Sequence, residues 1–199
     1  MTLAAVSLLT ACANAPEAAL IALPSVPRPD DSMQAAADER NVLLVRSLTV
    51  PEYMRSRRVR YWADPETVAQ WPDAYWAERI EVGMTREFIA ALRAALPRWR
   101  ICEANCGDST PAISLTVDLL RLDLVRRQHE ILVTAQPAIS DTAVPPSPAR
   151  LDPIWHLATP VTADSAQGEA QAIATMLDSL AQRAAVVVKQ ARVLRQAAP

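Results

Sequence analysis

Only three glycines occur in 199 residues, Gly83, Gly107 and Gly168, where ordinary usage is about 7%. No two share a loop. A phosphate-cradling loop needs several glycines a few residues apart, so that the backbone reaches positive φ and approaches the ligand closely. Walker-type and Rossmann-type nucleotide sites are therefore excluded. Histidine is scarcer still. His129 and His156 stand alone, with no HExxH helix and no second set of ligand spacings around them. No nucleophile with a nearby base and no carboxylate pair at a supporting spacing is found. The expectation is a protein that is not an enzyme, with no catalytic residue, no cofactor and no metal. His129 precedes Glu130 on an expected strand, so the two side chains point to opposite faces. His156, next to Trp155 near a strand end, reads as a hydrogen-bonded structural histidine.

An excess of charge is also lacking. Twenty Lys plus Arg against 22 Asp plus Glu leave a net charge of -2, which offers no global attraction to nucleic acid. The cluster Arg55, Arg57, Arg58 and Arg60 beside Tyr53, Tyr61 and Trp62 has the residue types of an RNA site built on charge and stacking. At this net charge it reads as a solvated strand face. What the chain does have is 51% hydrophobic and 21% charged residues, ordinary for one domain with a real core. Its 16 prolines cluster at 16–29 and 137–160, as linker and loops.

The opening segment, "MTLAAVSLLTAC", is apolar but far below the roughly 20 residues of a spanning helix. It matches the end of a secretory signal, an apolar stretch followed by small residues. No Lys or Arg precedes it, and a start further upstream would supply the missing positive region. Leu9-Thr10-Ala11-Cys12 resembles the bacterial lipobox, in which Cys12 is acylated and becomes the first mature residue. The stretch that follows, "ANAPEAALIALPSVPRPDDS", is rich in Pro and Ala and suits a flexible tether. The expected organisation is thus a lipoprotein signal over 1–12, a tether over 13–40 and one globular domain over 41–199. With Cys12 lipidated, Cys102 and Cys106 remain as a C-x3-C pair. In an oxidising compartment they are candidates for a disulfide across the turn holding Asn105 and Gly107. Two free thiols are the alternative, and zinc fails on ligand count.

Along the domain, "NVLLVRSLTV" and "RRVRYWA" read as strands, the second with Val59 and Tyr61 alternating with Arg58 and Arg60. Asp64-Pro65-Glu66 has the signals of a short helix ended by Pro72. A longer helix is expected from about Asp73 to Leu96, with Ile80, Met84, Phe88, Leu92 and Leu96 on one stripe. "ISLTVDLLRLDL" and "HEILVTAQPAI" are expected to pair as a hairpin, with a bulge or a fully buried end where alternation shifts at Leu119 and Leu120. "DTAVPPSPARLDP" is a loop and "IWHLATPV" a last strand. Asp164 with Gln167 approximates a capping box opening the final helix, whose stripe runs through Ile173, Leu177, Leu180, Ala184, Val187, Ala191 and Leu194. That spacing permits a coiled coil, and a helix laid across a sheet is the preferred reading. The fold class is α/β, a single domain with a mixed β-sheet packed by two main helices.

With those residues placed, the chain resembles the bacterial ABC-type transport auxiliary lipoproteins (PqiC/YmbA-like). The carriers are the lipobox at Cys12, "VLLVRSLTVPEYMRSRRVRYW", "YWAERIEVGMTREFIAALRAALP" and "SLTVDLLRLDL". In the second segment Trp76, Gly83, Thr85 and Arg86 match the family pattern W-x-x-x-(L/I)-x-x-G-x-T-R. The resemblance implies an anticodon-binding-like arrangement and a ring-forming homo-oligomer. It also implies a partner, the MCE-domain periplasmic protein with its ABC permease system, met at the periplasmic face of the outer membrane through the N-terminal lipid anchor. Ala13 in place of Asp agrees with outer-membrane sorting. The implied role is a non-catalytic component that anchors or docks a lipid or organic-solvent conduit, with a periplasmic lipid-binding carrier as the alternative. No nucleic acid partner is expected.

Overall fold

A computed structural model describes residues 17–25, 41–103, 105–141, 150–151 and 153–197. The element order is β1 (Ala19–Ile21), β2 (Val42–Thr49), β3 (Arg58–Trp62), β4 (Val68–Trp76), α1 (Ile80–Ala95), β5 (Arg100–Cys102), β6 (Ile113–Val125), β7 (Glu130–Asp141), β8 (Arg150–Leu151), β9 (Trp155–Pro160) and α2 (Ala166–Ala197). The strands form one mixed sheet in the order β1-β4-β3-β6-β2-β5, with β7 on the other edge of β6 and with β8 and β9 beyond β7. Strand β6 is its spine. One edge pairs with β2 in parallel over Ile113 to Asp118 and with β3 at Val125, while the other pairs antiparallel with β7 along its whole length.

Alternation along the strands decides where the core sits. Ile131, Val133 and Ala135 of β7 and Leu115 and Val117 of β6 are buried on one face, the face on which α1 and α2 pack. The helix stripes behave as their periods require. Met84, Phe88 and Leu92 of α1 and Ile173, Leu177 and Leu180 of α2 are buried, each such side chain contributing about 1.5–3 kcal/mol of apolar burial. The long helix thus lies across the sheet. The stripe ends before the helix does, for Val193 and Leu194 are exposed. The bulge expected in β6 is present, with the register shifting between Leu119 and Arg121 and Leu120 turned outward, 54% exposed.

Four local expectations are corrected. The segment from Asp64 to Pro72 is no helix: Asp64 Oδ1 accepts the Glu66 N–H at 3.0 Å, and Ala63 N–H bonds Thr67 O at 3.0 Å, closing a turn into β4. An aspartate ahead of free N–H groups caps a turn as well as a helix, and pairing with β3 decides between them. Pro72, which has no N–H to donate, is accommodated where the β3–β4 register slips and Asp73 takes φ 49, as a bulge allows. Accordingly α1 begins at Ile80 rather than near Asp73. His129 lies in a left-handed turn (φ 51) before β7, not on the strand. Finally, the cap of α2 is Ser165, whose Oγ accepts the Gly168 N–H at 3.0 Å, because Asp164 is drawn away to Arg126.

The segment expected as a tether over 13–40 needs correction in part. Residues 19–21 pair in parallel with Ala74, Tyr75 and Trp76 of β4, and Ile21 and Leu23 are buried in the common core. The rest of the tether, at 13–16 and 26–40, lies outside the described residues, as does most of the proline-rich loop, at 142–149 and 152.

Candidate functional site

The N-terminal strap, residues 17–25, is stitched to the domain by the segment that carries the W-x-x-x-I-x-x-G-x-T-R pattern. The end of β4 supplies Trp76, buried and in register with Ile21, and the Ala77 N–H donates to Ile21 O at 2.8 Å. Gly83 lies at the same junction: a Cβ there would press on Glu78 Oε1 at 3.1 Å, while standing at an ordinary contact distance of 3.5 Å from Leu23 Cδ1 of the strap. Thr85 donates to Glu81 O within its own helix. Arg86 reaches Glu78 at 2.7 Å and the buried Glu87 at 2.9 Å, and Ser25 of the strap donates to the same Glu87 at 3.4 Å. Its hydrogen bonds to Glu78, then Glu87, hold the Arg86 guanidinium above its ordinary value. Within the pattern Trp76 holds the N-terminal segment directly and Arg86 holds it through Glu87, and together they act as a clasp.

A second cluster closes the opposite end of β3 and β4. The Arg126 guanidinium lies over the rings of Tyr61 and Trp71, 4.8 and 4.3 Å from their centroids. It donates to Tyr61 Oη at 2.8 Å and to both oxygens of Asp164 at 2.7 and 2.9 Å. Bonding to Arg126 lowers the Asp164 carboxyl. Beneath them Trp71 Nε1 donates to Glu169 Oε2 at 2.8 Å. Glu169 is fully buried, its Oε1 has no partner among the described residues, and burial pushes it up to about 8, so that it is neutral at pH 7. Its position was legible as an anomaly: it lies four residues before Ile173, on the apolar stripe of α2.

The third feature lies on the helix-free face. Among the described residues the edge of β6 has no strand partner between β2 and β3, and Tyr53 fills the gap. Its Oη accepts the Leu122 N–H at 3.0 Å and donates to Asp123 at 2.7 Å. Trp62 Nε1 donates to the same Asp123 oxygen at 3.0 Å, and Arg121 pairs with the other. Beside them is an open concavity of about 370 Å³ floored by Trp62, Val125 and Leu132 and rimmed by Arg121 and Arg127.

Among the residues singled out by sequence, Cys12 lies outside the described residues. Cys102 and Cys106 come together at the end of β5, with Cα atoms 5.2 Å apart and their sulfur atoms in contact, inside the usual Cα span of about 4.4–6.8 Å for a disulfide. His129 is exposed, and exposed His156 has Thr134 Oγ1 at 3.4 Å from Nδ1. Among the described residues no cluster of His, Cys, Asp and Glu suits a metal, and no helix is long and apolar enough to cross a membrane.

Comparison with known proteins gives the following. The family model for the ABC-type transport auxiliary lipoprotein component matches residues 23–185. A solved structure described only as an uncharacterized protein is similar at 14% identity with a TM-score of 0.69, covering 86% of this chain and 99% of that one. A Xanthomonas campestris protein of the family DUF330 is similar at 15% identity and a TM-score of 0.60, covering 89% and 99%. At those identities the likeness is one of fold. No curated protein matches.

Proposed function

The chain belongs to the family of ABC-type transport auxiliary lipoprotein components, and from that premise we propose that it is a lipid-anchored, non-catalytic docking component of a periplasmic transport system. The clasp on the N-terminal strap carries this reading. A domain that holds residues 17–25, a few positions after Cys12, directly by Trp76 and through Glu87 by Arg86 is built to resist being pulled away from its anchor. Cys12 bears the lipid. More than one acyl chain is required for stable attachment, which a fully acylated N-terminus supplies. Residence is at the periplasmic face of the outer membrane, and the partner is an MCE-domain protein with its ABC permease. Copies of the domain form a ring, so each weak contact acts at high effective concentration on one surface. Cys102 and Cys106 are bonded there.

A carrier that swallows a lipid would need an apolar cavity of roughly 300–1,000 Å³. The concavities at Trp62 and between β1 and α2 open to solvent and have Arg or Gln in their walls, which favours docking over carriage. The test is Cys12→Ala in native cells. The variant is expected in the soluble fraction with an unchanged thermal melt. Retention with the membrane would overturn the anchor, and cross-linking that finds no MCE-domain protein beside the wild-type chain would overturn the partner.

A further inference from the structure

We infer that the helix-free face of β1, β4 and β3 rests on the anionic phospholipid headgroups of the membrane that holds the anchor. The inference deepens the proposed function and rests on Cys12 being the acylated residue. Four residues lie between Cys12 and Glu17, where the described strap begins, and the five residue-to-residue steps reach no further than about 18 Å in any conformation. A domain of this length is about 40 Å across. The leash is therefore shorter than the domain is wide. Only the surface around β1 can meet the bilayer.

That surface has the chemistry for it. Leu20 is 62% exposed and in register with Tyr75 of β4, which is in register with Arg58 of β3. Their neighbours Ile21, Ala74 and Val59 are buried toward the helices, so alternation puts Leu20, Tyr75, Arg58 and Arg60 on the opposite face. The Arg58 guanidinium stands 4.8 Å over the Tyr75 ring. Arg60 donates to the Tyr53 carbonyl. Arg57, exposed just before β3, adds a third charge. None of these three pairs with a carboxylate among the described residues, whereas Arg55 is matched by Glu52 at 2.9 Å. Against them stand Glu17 in the strap and Asp73 at the bulge of β4, and Glu78 is held by Arg86. An excess of arginine beside an exposed leucine and a tyrosine, set next to an acylated cysteine, complements a negatively charged lipid surface. The net charge of the chain conceals this asymmetry.

The experiment uses the chain from position 12 onward carrying Cys12→Ala, so that no acyl group contributes. Binding is measured by co-sedimentation with vesicles of phosphatidylethanolamine and phosphatidylglycerol, and with vesicles of phosphatidylcholine. The parent is expected to prefer the anionic vesicles and to lose binding with added salt. Arg57→Ser, Arg58→Ser and Arg60→Ser together should weaken it at least about tenfold, and Leu20→Ser alone, at an exposed site, should weaken it severalfold. Absence of binding to anionic vesicles, equal binding to both compositions, or variants that bind as the parent does would overturn the inference. If the triple variant melts early, the salt titration and Leu20→Ser decide. Intact-mass analysis of native material reads the anchor separately: a chain without acyl at Cys12 sinks the anchor, whatever the vesicles report.

Discussion

The phenol of Tyr53 donates to Asp123 at 2.7 Å while accepting the Leu122 N–H at 3.0 Å, so one hydroxyl serves the edge of β6 where, among the described residues, no strand pairs with it between β2 and β3. Burial, reinforced by Asp123, holds the phenol above its ordinary value, and it stays a donor throughout the physiological range. Tyr53→Phe leaves a backbone N–H without its acceptor. The expected loss is about 2 kcal/mol, read as a lower denaturation midpoint with an unchanged slope. Full stability in the variant would show that water substitutes for the phenol.

Glu169 gives the domain a pH dependence of definite sign. Its folded value is raised to about 8 from an ordinary 4.5, so the unfolded chain releases this proton first. The stability is fully present below pH 4.5 and falls as pH rises, by about 1.4 kcal/mol per unit until the folded group ionises near pH 8. Glu169→Gln removes that slope and makes the protein more stable than wild type at pH 8. Denaturation curves at pH 5 and pH 8 measure the difference, and parallel losses in both proteins would refute the assignment.

Arg86 is expected to hold the strap rather than to act in transport directly. Arg86→Ala removes a bridge to Glu78 and to the buried Glu87. Because the guanidinium is one-third exposed, solvent screening limits the loss to about 2 kcal/mol. Proteolysis should become faster within residues 17–25, while the cores of α1 and β6 keep their protection. Arg86→Lys should restore little, since an ammonium lacks the separate Nε and Nη1 donors that reach the two acids.

Gly168 is required by space. A Cβ at this position would collide with the carbonyl oxygen of Ala163, which lies in the turn that places Ser165 as the cap. Gly168→Ala should destabilise by about 1–3 kcal/mol, measured by thermal melting, and a variant as stable as wild type would mean that the turn relaxes freely.

The disulfide proposed between Cys102 and Cys106 encloses a small loop, with a sequence separation of 4, so chain entropy limits its contribution to about 2 kcal/mol. Reduction should lower the melting temperature slightly without unfolding the domain. Thiol alkylation of oxidised material would expose free cysteines if the bond does not form.

Several features were legible in the chain because they depend on local periodicity. The buried stripe of α1 from Ile80 to Leu96, the bulge at Leu120 and the hairpin of β6 and β7 follow from side-chain direction alone. The failures share a cause. Asp64-Pro65-Glu66 carries signals common to helix caps and turns, and Asp164 is an adequate cap until Arg126 claims it. Glu17 to Ser25 looks like linker because three residues of strand are too few to show a pattern.

By itself the order of residues determined the fold class, the two helices and the family, since hydrophobic period and a short clasp pattern survive in one dimension. Only the tertiary structure decided what the clasp holds, which acid is buried neutral, and which arginines share a face with Leu20. Those outcomes depend on pairing between segments far apart in the chain. Burial and charge acquire their energies only once such pairing has excluded water.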